Sequence, residues 1–343
     1  MAETVAILGD GAMATVCSIL FTQGGHRVTM WGAFERSIER LLQNREQSRL
    51  LPGVRVPGDV HLTANDVEAF GTRAQPATMI LSAVPTQYMR SVWTRLKAHV
   101  PAGVPIVSVA KGVENQTLMR PTQVIADVLE HALGKRKNEL GVLSGPNIAA
   151  ELAKYLPATA VAAAADESLA QRIQASMSTE WFRVYTNTDV LGVELAGATK
   201  NVIAIAAGML DGLGAGNNAK AALVTRGLVE ITRLAVAMGA QPSTFQGLAG
   251  LGDLITTCVS PEGRNRTVGE QLGKGKRLDE VLSTMNSVAE GVATTRAVRE
   301  LSKRYKVEMP ITEQVYQVLF ENKDAINALA DLMTRDPKPE TPE

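Results

Sequence analysis

The chain has 343 residues, more than a typical single domain holds and about right for two. Apolar residues make up 45% and charged residues 20%, as in a soluble globular protein with a sizeable core. The formal net charge is +0, so no sequence-wide basic field attracts nucleic acid, and we expect no nucleic-acid partner. Two cysteines do not suggest a disulfide framework, and four scattered histidines lack metal-ligand spacing, so we expect no metal site.

The first residues are acidic and lead directly into an apolar stretch, whereas a secretory signal peptide begins with a basic region. The longest apolar run in the second half, residues 202–210, is much shorter than the roughly 20 residues that span a bilayer. We interpret that run as a buried helix. These features predict a cytoplasmic protein without a membrane span.

Apolar strand patterns alternate with helical patterns through the first half of the chain. We predict strands at residues 5–8, 27–31, 79–84, 106–109, 141–143, 159–163 and 181–186. The helices predicted between them cover residues 12–23, 86–99, 118–133 and 147–153. Alternation of this kind indicates a doubly wound parallel or mixed sheet with helices on both faces.

The second half shows helical patterns only. The predicted helices cover residues 194–210, 218–238, 267–272, 278–285, 294–305 and 311–320, with prolines in several of the breaks. We therefore predict an α/β domain over residues 1–190 and an all-helical domain over residues 191–330. Residues 331–343 are rich in proline and charge, and we expect a disordered tail there.

A glycine-rich turn lies between the first predicted strand and helix. Residues 9–14, Gly-Asp-Gly-Ala-Met-Ala, match the pattern G-x-G-x-x-A. Gly9 permits the tight turn, Gly11 lets a pyrophosphate approach the backbone, and Ala14 lets the helix pack on the strand. The free amides at the start of the helix face an anion. The pattern alone is weak, but a buried strand before it and a helix after it predict a dinucleotide site.

The residues leave the choice of cofactor open. An NAD-specific site usually has an acidic residue at the end of the second strand, where it binds the ribose hydroxyl. Residues 32–36 here read Gly-Ala-Phe-Glu-Arg, with no acid directly at the strand end. Glu35 would favour NAD, while Arg36 would accept the 2′-phosphate of NADP.

Two lysines stand at positions suited to hydride-transfer chemistry, which needs a group that exchanges a proton with the substrate oxygen. Lys111 follows a predicted strand, and ligands bind at the carboxyl ends of strands in such sheets. Lys200 lies in a helix of small and apolar residues, where loss of hydration would lower its pKa from about 10.4. Lys200 alternatively extends to solvent from a helix surface. The adjoining Asn201 and the small residues one turn earlier favour a functional role.

Further polar residues are candidates for binding a phosphorylated substrate. Asp253 stands among glycines in an apolar setting, which suits a carboxylate that bonds a lysine or a substrate hydroxyl. Arg264 and Asn265 offer a planar fork and an amide for a phosphate monoester, although a solvated loop is the alternative. Residues 144–147, Ser-Gly-Pro-Asn, offer backbone amides at a helix start.

Eight segments, in this order and spacing, resemble NAD(P)-dependent glycerol-3-phosphate dehydrogenases of the bacterial type. They begin with the glycine motif and continue with residues 109–112, 144–149, 197–202, 208–212, 252–254, 263–266 and 288–291. The Lys-Asn pair at 200–201 and Gly-Arg-Asn-Arg at 263–266 are together specific, whereas the glycine motif is not. The resemblance covers roughly residues 4–325.

The resemblance implies an α/β Rossmann-like N-terminal domain, an all-α C-terminal domain and a cleft between them. It implies a homodimeric enzyme that interconverts glycerol 3-phosphate and dihydroxyacetone phosphate with NAD or NADP and supplies glycerophospholipid synthesis. Lys200 would be the proton acceptor in alcohol oxidation, and our hypothesis adds Lys111 to polarise the substrate oxygen and Asp253 to orient Lys200. Substrate-contacting positions would be Lys111, Gly145, Asn147, Lys200, Asp253, Gly263, Arg264 and Asn265, with Asn201 and Thr257 matching eukaryotic relatives.

Cofactor-contacting positions implied by the resemblance are Ala12, Met13, Ala33, Lys111, Ala149, Arg264, Val288 and Glu290. The motif adds Gly9 and Gly11, and Arg36 is the candidate for a 2′-phosphate. Many bacterial relatives have Ser and an aromatic residue at the positions of Ala12 and Met13, often a polar residue at Ala33, and some a hydroxyl residue at Gly263. The three cofactor-side departures bear on cofactor affinity and choice rather than on the reaction.

Two other functions fit parts of the pattern. A related two-domain dehydrogenase acting on a β-hydroxy acid or an opine-type substrate would share the architecture but would not require a phosphate on its substrate. A non-catalytic NAD(P)H sensor would bind the cofactor without turnover, and it would have no need of Lys200 beside Asn201.

Overall fold

The computed structural model describes residues 2–133, 138–285, 288–337 and 339–340. Its first half is built on an eight-stranded sheet with the strand order β10-β9-β8-β7-β6-β1-β2-β3, and β4 and β5 form a separate hairpin. The strands are β1 (Thr4–Leu8), β2 (Arg27–Trp31), β3 (His61–Thr63), β4 (Gly71–Thr72), β5 (Gln75–Pro76), β6 (Met79–Ser82), β7 (Ile106–Ser108), β8 (Leu140–Ser144), β9 (Ala158–Ala164) and β10 (Phe182–Asn187). Neighbouring strands are parallel except β8 and β9, so the sheet is mixed.

Helices cover both faces of this sheet. They are α1 (Ala12–Gln23), α2 (Glu35–Asn44), α3 (Thr86–Leu96), α4 (Pro121–Leu133), α5 (Ala149–Leu152) and α6 (Glu167–Met177), with a short 3-10 helix at Lys97–His99. Val5 and Ile7 of β1 belong to one apolar cluster, while Ala6 and Leu8 belong to another. Alternate residues of one strand are therefore buried on opposite faces, which explains the continuous apolar runs in the sequence.

The second half is helical and surrounds one long central helix, α7 (Val190–Leu213). The other helices are α8 (Gly216–Ala237), α9 (Pro242–Gln246), α10 (Asp253–Val259), α11 (Arg264–Gly273), α12 (Leu278–Ser283), α13 (Glu290–Tyr305), α14 (Pro310–Phe320) and α15 (Ala325–Met333), with a π-helical turn at Leu248–Gly252. Among the described residues α7 alone is long and apolar enough to cross a membrane, but 89% of its most apolar stretch is buried inside the protein. The core helix of a soluble protein meets the same criterion.

Glycines bring α7 and α11 into direct backbone contact. A Cβ atom on Gly208 of α7 would lie 1.9 Å from the carbonyl oxygen of Arg266. From the other side, a Cβ atom on Gly269 of α11 would lie 1.9 Å from the carbonyl oxygen of Ile205. Neither position accepts a side chain without separating the helices. The close approach fixes the start of α11 against the helix that contains Lys200.

The predicted fold class, a Rossmann-like α/β half followed by an all-α half, is confirmed, and the domain boundary at residue 190 stays a prediction. The sequence analysis did not find β3, the β4–β5 hairpin, α2, α6, α9, α10 or α15. Helix α11 begins at Arg264, three residues before the predicted start, so the Gly-Arg-Asn-Arg segment is a helix start rather than a loop. Helix α15 extends to Met333, so residues 331–333 of the expected tail are helical, while 338 and 341–343 lie outside the described residues.

Candidate active site

The glycine turn has the geometry that the motif predicts. Gly9 adopts a φ of +120°, and a Cβ atom there would lie 2.9 Å from the carbonyl oxygen of Ala83. Its N–H donates to the carbonyl oxygen of Trp31 at 2.8 Å, which ties the turn to the end of β2. Gly11 precedes α1 and no side chain caps that helix, so its first amides are available to an anion. The turn therefore fits the pyrophosphate of a dinucleotide.

Two lysines and one carboxylate meet at the carboxyl edge of the sheet. The Nζ atom of Lys111 lies 2.6 Å from Oδ2 of Asp253, and the Nζ atom of Lys200 lies 3.0 Å from Oδ1. The exposed fractions of the three side chains are 19% for Lys111, 6% for Lys200 and 4% for Asp253. We call these three residues the lysine–aspartate cluster. One carboxylate bridges two ammonium groups in a site that excludes most water.

Lys200 does not extend to solvent, which removes the alternative left open by the sequence. Burial is the largest influence on its amine and lowers its pKa below the usual value. The nearby positive charge of Lys111 lowers this pKa further, while Asp253 opposes the shift. A lysine with a lowered pKa is able to release and accept a proton nearer to neutral pH.

Contacts from two other segments hold Lys111. Its Nζ atom donates to the carbonyl oxygen of Gly145 at 2.9 Å, and its own carbonyl oxygen accepts from Nδ2 of Asn201 at 3.1 Å. Gly145 directly follows β8 and has a φ of +128°, a backbone conformation that favours glycine. Beside it, the buried hydroxyl of Ser144 has no hydrogen-bond partner within the described residues. The Asn201 side chain thus holds the backbone of Lys111 in place.

The start of α11 lies beside the segment that leads into α13. The carbonyl oxygen of the Asn265 side chain accepts from the N–H of Gly291 at 3.0 Å, so this bond uses the oxygen of the amide and not its Nδ2 group. The Arg264 side chain, largely exposed, donates through Nη1 to the carbonyl oxygen of Val288 at 2.8 Å. Gly263 precedes α11 without a side-chain cap. An arginine, an amide and uncapped helix amides suit a phosphate monoester.

Carboxylates of the helical half cap helices of the sheet half at two places. Glu290 accepts from the backbone N–H of Thr86, the first residue of α3, at 2.9 Å. Its carboxyl is shielded from water, which raises the pKa of Glu290, although the Thr86 N–H opposes this shift. Glu194 of α7 accepts from the N–H of Thr122 in α4 at 2.8 Å and pairs with Arg120. These contacts join the two halves around the cluster.

Two hydroxyl groups in this region were missed by the sequence analysis. The Oγ1 atoms of Thr86 and Thr294 are buried, and that of Thr294 has no hydrogen-bond partner within the described part of the chain. They would lie 2.8 and 3.2 Å from a Cβ atom on Gly112, next to Lys111. A hydroxyl residue at the first position of a helix after β6 was the available signal for Thr86, whereas Thr294 lies inside a helix and gave none.

The remaining predicted residues lie around this centre or at the far end of the glycine turn. In the orientation that satisfies its hydrogen bonds, the Asn147 amide donates to the backbone oxygens of Thr159 and Pro146 at 3.2 Å. Ala33 follows the end of β2, and Arg36 lies in the first turn of α2. Further predicted positions are half-buried residues at helix starts or within α10, namely Ala12 and Met13 of α1, Ala149 of α5 and Thr257 of α10.

Comparison with known proteins gives the family. The models for the N-terminus and the C-terminus of NAD-dependent glycerol-3-phosphate dehydrogenase match residues 4–170 and 189–330. The chain belongs to the NAD-dependent glycerol-3-phosphate dehydrogenase family. Among glycerol-3-phosphate dehydrogenases [NAD(P)+], it is 46% identical over 340 residues to that of Citrifermentans bemidjiense, with 99% of each chain covered. The Prosthecochloris aestuarii relative is 47% identical over 336 residues, covering 98% of this chain and 99% of the relative.

Solved structures agree with the sequence relatives. The crystal structure of glycerol-3-phosphate dehydrogenase from Coxiella burnetii matches with a TM-score of 0.91 and 33% identity, covering 97% of this chain and 99% of the other. The family resemblance inferred from the eight segments is therefore confirmed across both halves. Membership in this dehydrogenase family also decides against the hydroxy-acid or opine-type enzyme and the non-catalytic sensor.

Proposed function

We propose that this chain catalyses the reversible reduction of dihydroxyacetone phosphate by NAD(P)H and one proton to sn-glycerol 3-phosphate and NAD(P)⁺. The observation that carries this proposal is the lysine–aspartate cluster, in which a water-shielded lysine with a lowered pKa lies beside a second lysine. The reaction needs a proton donor and acceptor next to the substrate oxygen together with a positive charge that polarises it. The cluster offers both.

The glycine turn fits the cofactor, because a side chain at Gly9 would collide with the backbone and the helix beyond it is uncapped. When bound, the nicotinamide supplies or accepts the hydride at the substrate carbon. The residues that we propose to hold the cofactor are Gly9, Gly11, Ala12, Met13, Ala33, Arg36, Lys111, Ala149, Arg264, Val288 and Glu290.

Lys200 is the proton-transfer group in this proposal. In oxidation its neutral amine accepts the hydroxyl proton of glycerol 3-phosphate, and in reduction its ammonium returns that proton to the ketone oxygen. Lys111 polarises the same oxygen through its ammonium group. Asp253 holds both Nζ atoms, so it fixes the direction from which the proton is exchanged.

The substrate phosphate binds at the start of α11. Arg264 provides a planar fork, Asn265 provides its Nδ2 group, and the uncapped amides of the helix add partial positive charge. The Arg264 side chain already bonds Val288, so one contact positions it for substrate and cofactor together. The other proposed substrate contacts are Gly145, Asn147, Asn201, Thr257 and Gly263.

The test is the absorbance of the reduced nicotinamide, with dihydroxyacetone phosphate offered alongside NADH and, separately, NADPH. We expect a loss of absorbance that needs both the protein and the phosphorylated ketone. A folded protein that binds cofactor yet shows no turnover with either would refute the proposal. Equal rates with unphosphorylated dihydroxyacetone would show that the enzyme does not require a phosphate on its substrate.

Variants assign the roles. Lys200→Ala should lower kcat by a factor of about 100 or more, because proton transfer contributes on that scale. Lys154→Ala, which removes an exposed lysine, is the matched control and should keep the parent rate. Arg264→Ala should mainly raise KM for dihydroxyacetone phosphate, with the exposed Arg304→Ala as its control. A near-normal kcat in Lys200→Ala would contradict the proton-transfer role.

We also propose a cytoplasmic homodimer that supplies glycerol 3-phosphate for glycerophospholipid synthesis, with domains divided near residue 190. Cys17 and Cys258 are buried and unpaired, as in a reducing compartment. Ile326 and Met333 of α15 are 55% and 76% exposed, and such apolar side chains are common at subunit interfaces. Sedimentation equilibrium should give twice the chain mass. If α15 lies in the dimer interface, Met333→Asp should lower the measured mass toward that of one chain.

A further inference from the structure

The glycine turn of this chain has an acidic residue between its two glycines. Asp10 directs its carboxylate toward the end of β2, where its Cγ atom lies 3.1 Å from the point that a Cβ atom on Gly32 would occupy. Gly32 directly follows Trp31, the last residue of β2. The Asp10 carboxylate therefore borders the space in which a side chain at the end of β2 would begin.

That space matters for the choice of dinucleotide. In folds of this type an acidic residue at the end of the second strand accepts a hydrogen bond from the 2′-hydroxyl of the adenosine ribose, and an arginine accommodates a 2′-phosphate instead. Gly32 holds this position here and has no side chain. Ile38 fills the rest of the space, because its Cδ1 atom lies 2.7 Å from the same point. The strand end is thus unable to provide the acid, whereas the preceding turn provides one.

Protein contacts hold Asp10 but leave part of its carboxylate available. The hydroxyl of Ser37 donates to Oδ2, and the side-chain amide of Gln47 donates to the backbone oxygen of Asp10 at 2.5 Å. Gln47 is itself buried, so its hydrogen bond holds the backbone of the glycine turn in place. Oδ1 makes no hydrogen bond within the described residues, and Asp10 as a whole is half-buried. Oδ2 is held by Ser37, and Oδ1 is able to accept a hydrogen bond from a hydroxyl group of a ligand.

We propose that Asp10 makes this enzyme prefer NAD(H) to NADP(H), by accepting a hydrogen bond from the 2′-hydroxyl of the adenosine ribose and by repelling a 2′-phosphate. The inference rests on the proposed function only in requiring that the glycine turn binds a dinucleotide. Arg36 would favour the opposite preference, but it is exposed on the first turn of α2, where water and salt screen its charge. The half-buried carboxylate is screened less.

The direct test measures dissociation constants of NADH and NADPH for the full chain, without substrate, by titration calorimetry. We expect the parent protein to bind NADH about tenfold more tightly than NADPH or better, the range of one close charge contact. Asp10→Asn keeps the shape but removes the charge. It should tighten NADPH binding about tenfold and change NADH binding by less than about threefold. Asp10→Ala serves as a second variant if the amide forms new contacts.

A matched control removes an equal charge nearby. Glu39→Gln changes an exposed carboxylate on α2 and should leave both dissociation constants unchanged. Glu35→Gln tests the acid that the sequence offered for the same role. A shift in preference with Glu35→Gln but not with Asp10→Asn would overturn the inference, as would a parent protein that binds NADPH more tightly.

The two proposals fail in distinguishable ways. Turnover of dihydroxyacetone phosphate, combined with a binding ratio that Asp10→Asn does not change, refutes the role of Asp10 and leaves the enzyme function intact. The expected change in the binding ratio without any turnover supports the role of Asp10 and refutes the enzyme function.

Discussion

The backbone contact between α7 and α11 predicts that alanine at position 208 destabilises the protein. In an ordinary helix interior, alanine is more stable than glycine by about 0.5–1 kcal/mol. Here the new Cβ atom would lie 1.9 Å from the carbonyl oxygen of Arg266 and 2.7 Å from the backbone nitrogen of Glu270. Ordinary contact begins near 3.4 Å, so the α11 backbone would have to retreat by about 1.5 Å.

This displacement has a cost in stability and a cost in activity. Overpacking of this kind costs about 1–3 kcal/mol, so we expect the free energy of unfolding to fall by about 2 kcal/mol. The melting temperature should then fall by about 4 °C or more. The retreat would also move Arg264 and Asn265 at the start of α11. A misplacement of about 1 Å is able to cost a factor of about 100, so kcat/KM for dihydroxyacetone phosphate should fall by about 10- to 100-fold.

Thermal unfolding followed by circular dichroism and steady-state kinetics are the assays. Gly269→Ala approaches the same contact from α11 and should reproduce both effects. Gly58→Ala is the control, because a Cβ atom there meets nothing within 4 Å. A Gly208→Ala protein that melts at or above the parent temperature would show that the two backbones do not touch, and the reasoning would be wrong.

Three further predictions concern ionisable groups. Since burial and Lys111 lower the pKa of Lys200 while Asp253 raises it, the inflection of the pH profile for alcohol oxidation should move upward in Lys111→Met and downward in Asp253→Asn. Asp253→Asn also leaves two unpaired ammonium groups, so denaturant unfolding should show a loss of about 3–5 kcal/mol. Because the pKa of Glu290 is raised in the folded state, the folded protein keeps a proton that the unfolded chain loses above about pH 4.5. The free energy of unfolding therefore falls as the pH rises from about 4.5 toward the raised pKa. Glu290→Gln retains an acceptor for Thr86 without this loss, and its melting temperature should fall less than the parent's between pH 5 and pH 7.

The features predicted correctly from the sequence are those that local pattern specifies. Strand β1, the glycine turn and α1 follow one another within about 20 residues, so turn chemistry and burial are visible together. The missed helix α2 has apolar residues at Ile38, Leu41 and Leu42, the i, i+3, i+4 spacing of an amphipathic helix, so the signal was present in the sequence and was overlooked. The sequence analysis predicted the start of α11 three residues late, at residue 267; Gly263 and Asn265 are weak helix formers, and packing against α7 overrides that preference.

In the site too, local sequence patterns identified single residues but not the contacts between them. Lys111 and Lys200 were identified singly, from a strand end and from an apolar helix, but their joint contact with Asp253 links positions 142 residues apart. The contact between Glu290 and Thr86 joins positions 204 residues apart. No local pattern specifies such pairs, because the folding of the whole chain brings them together. The resemblance to a family supplied the roles of these residues, and the structure supplied their contacts.

The stability of the helical half and the chemistry of the site depend on the same helix. Helix α7 is the core of its half, and the burial that its packing provides is also the largest cause of the lowered pKa of Lys200. A change that admits water beside α7 should therefore raise this pKa toward its usual value while it lowers stability. Ile203→Ala, which opens a cavity one turn beyond Lys200 without touching the cluster, should show both effects together. If its stability fell while the pH profile stayed fixed, the lysine's pKa would depend on its charged neighbours rather than on the core.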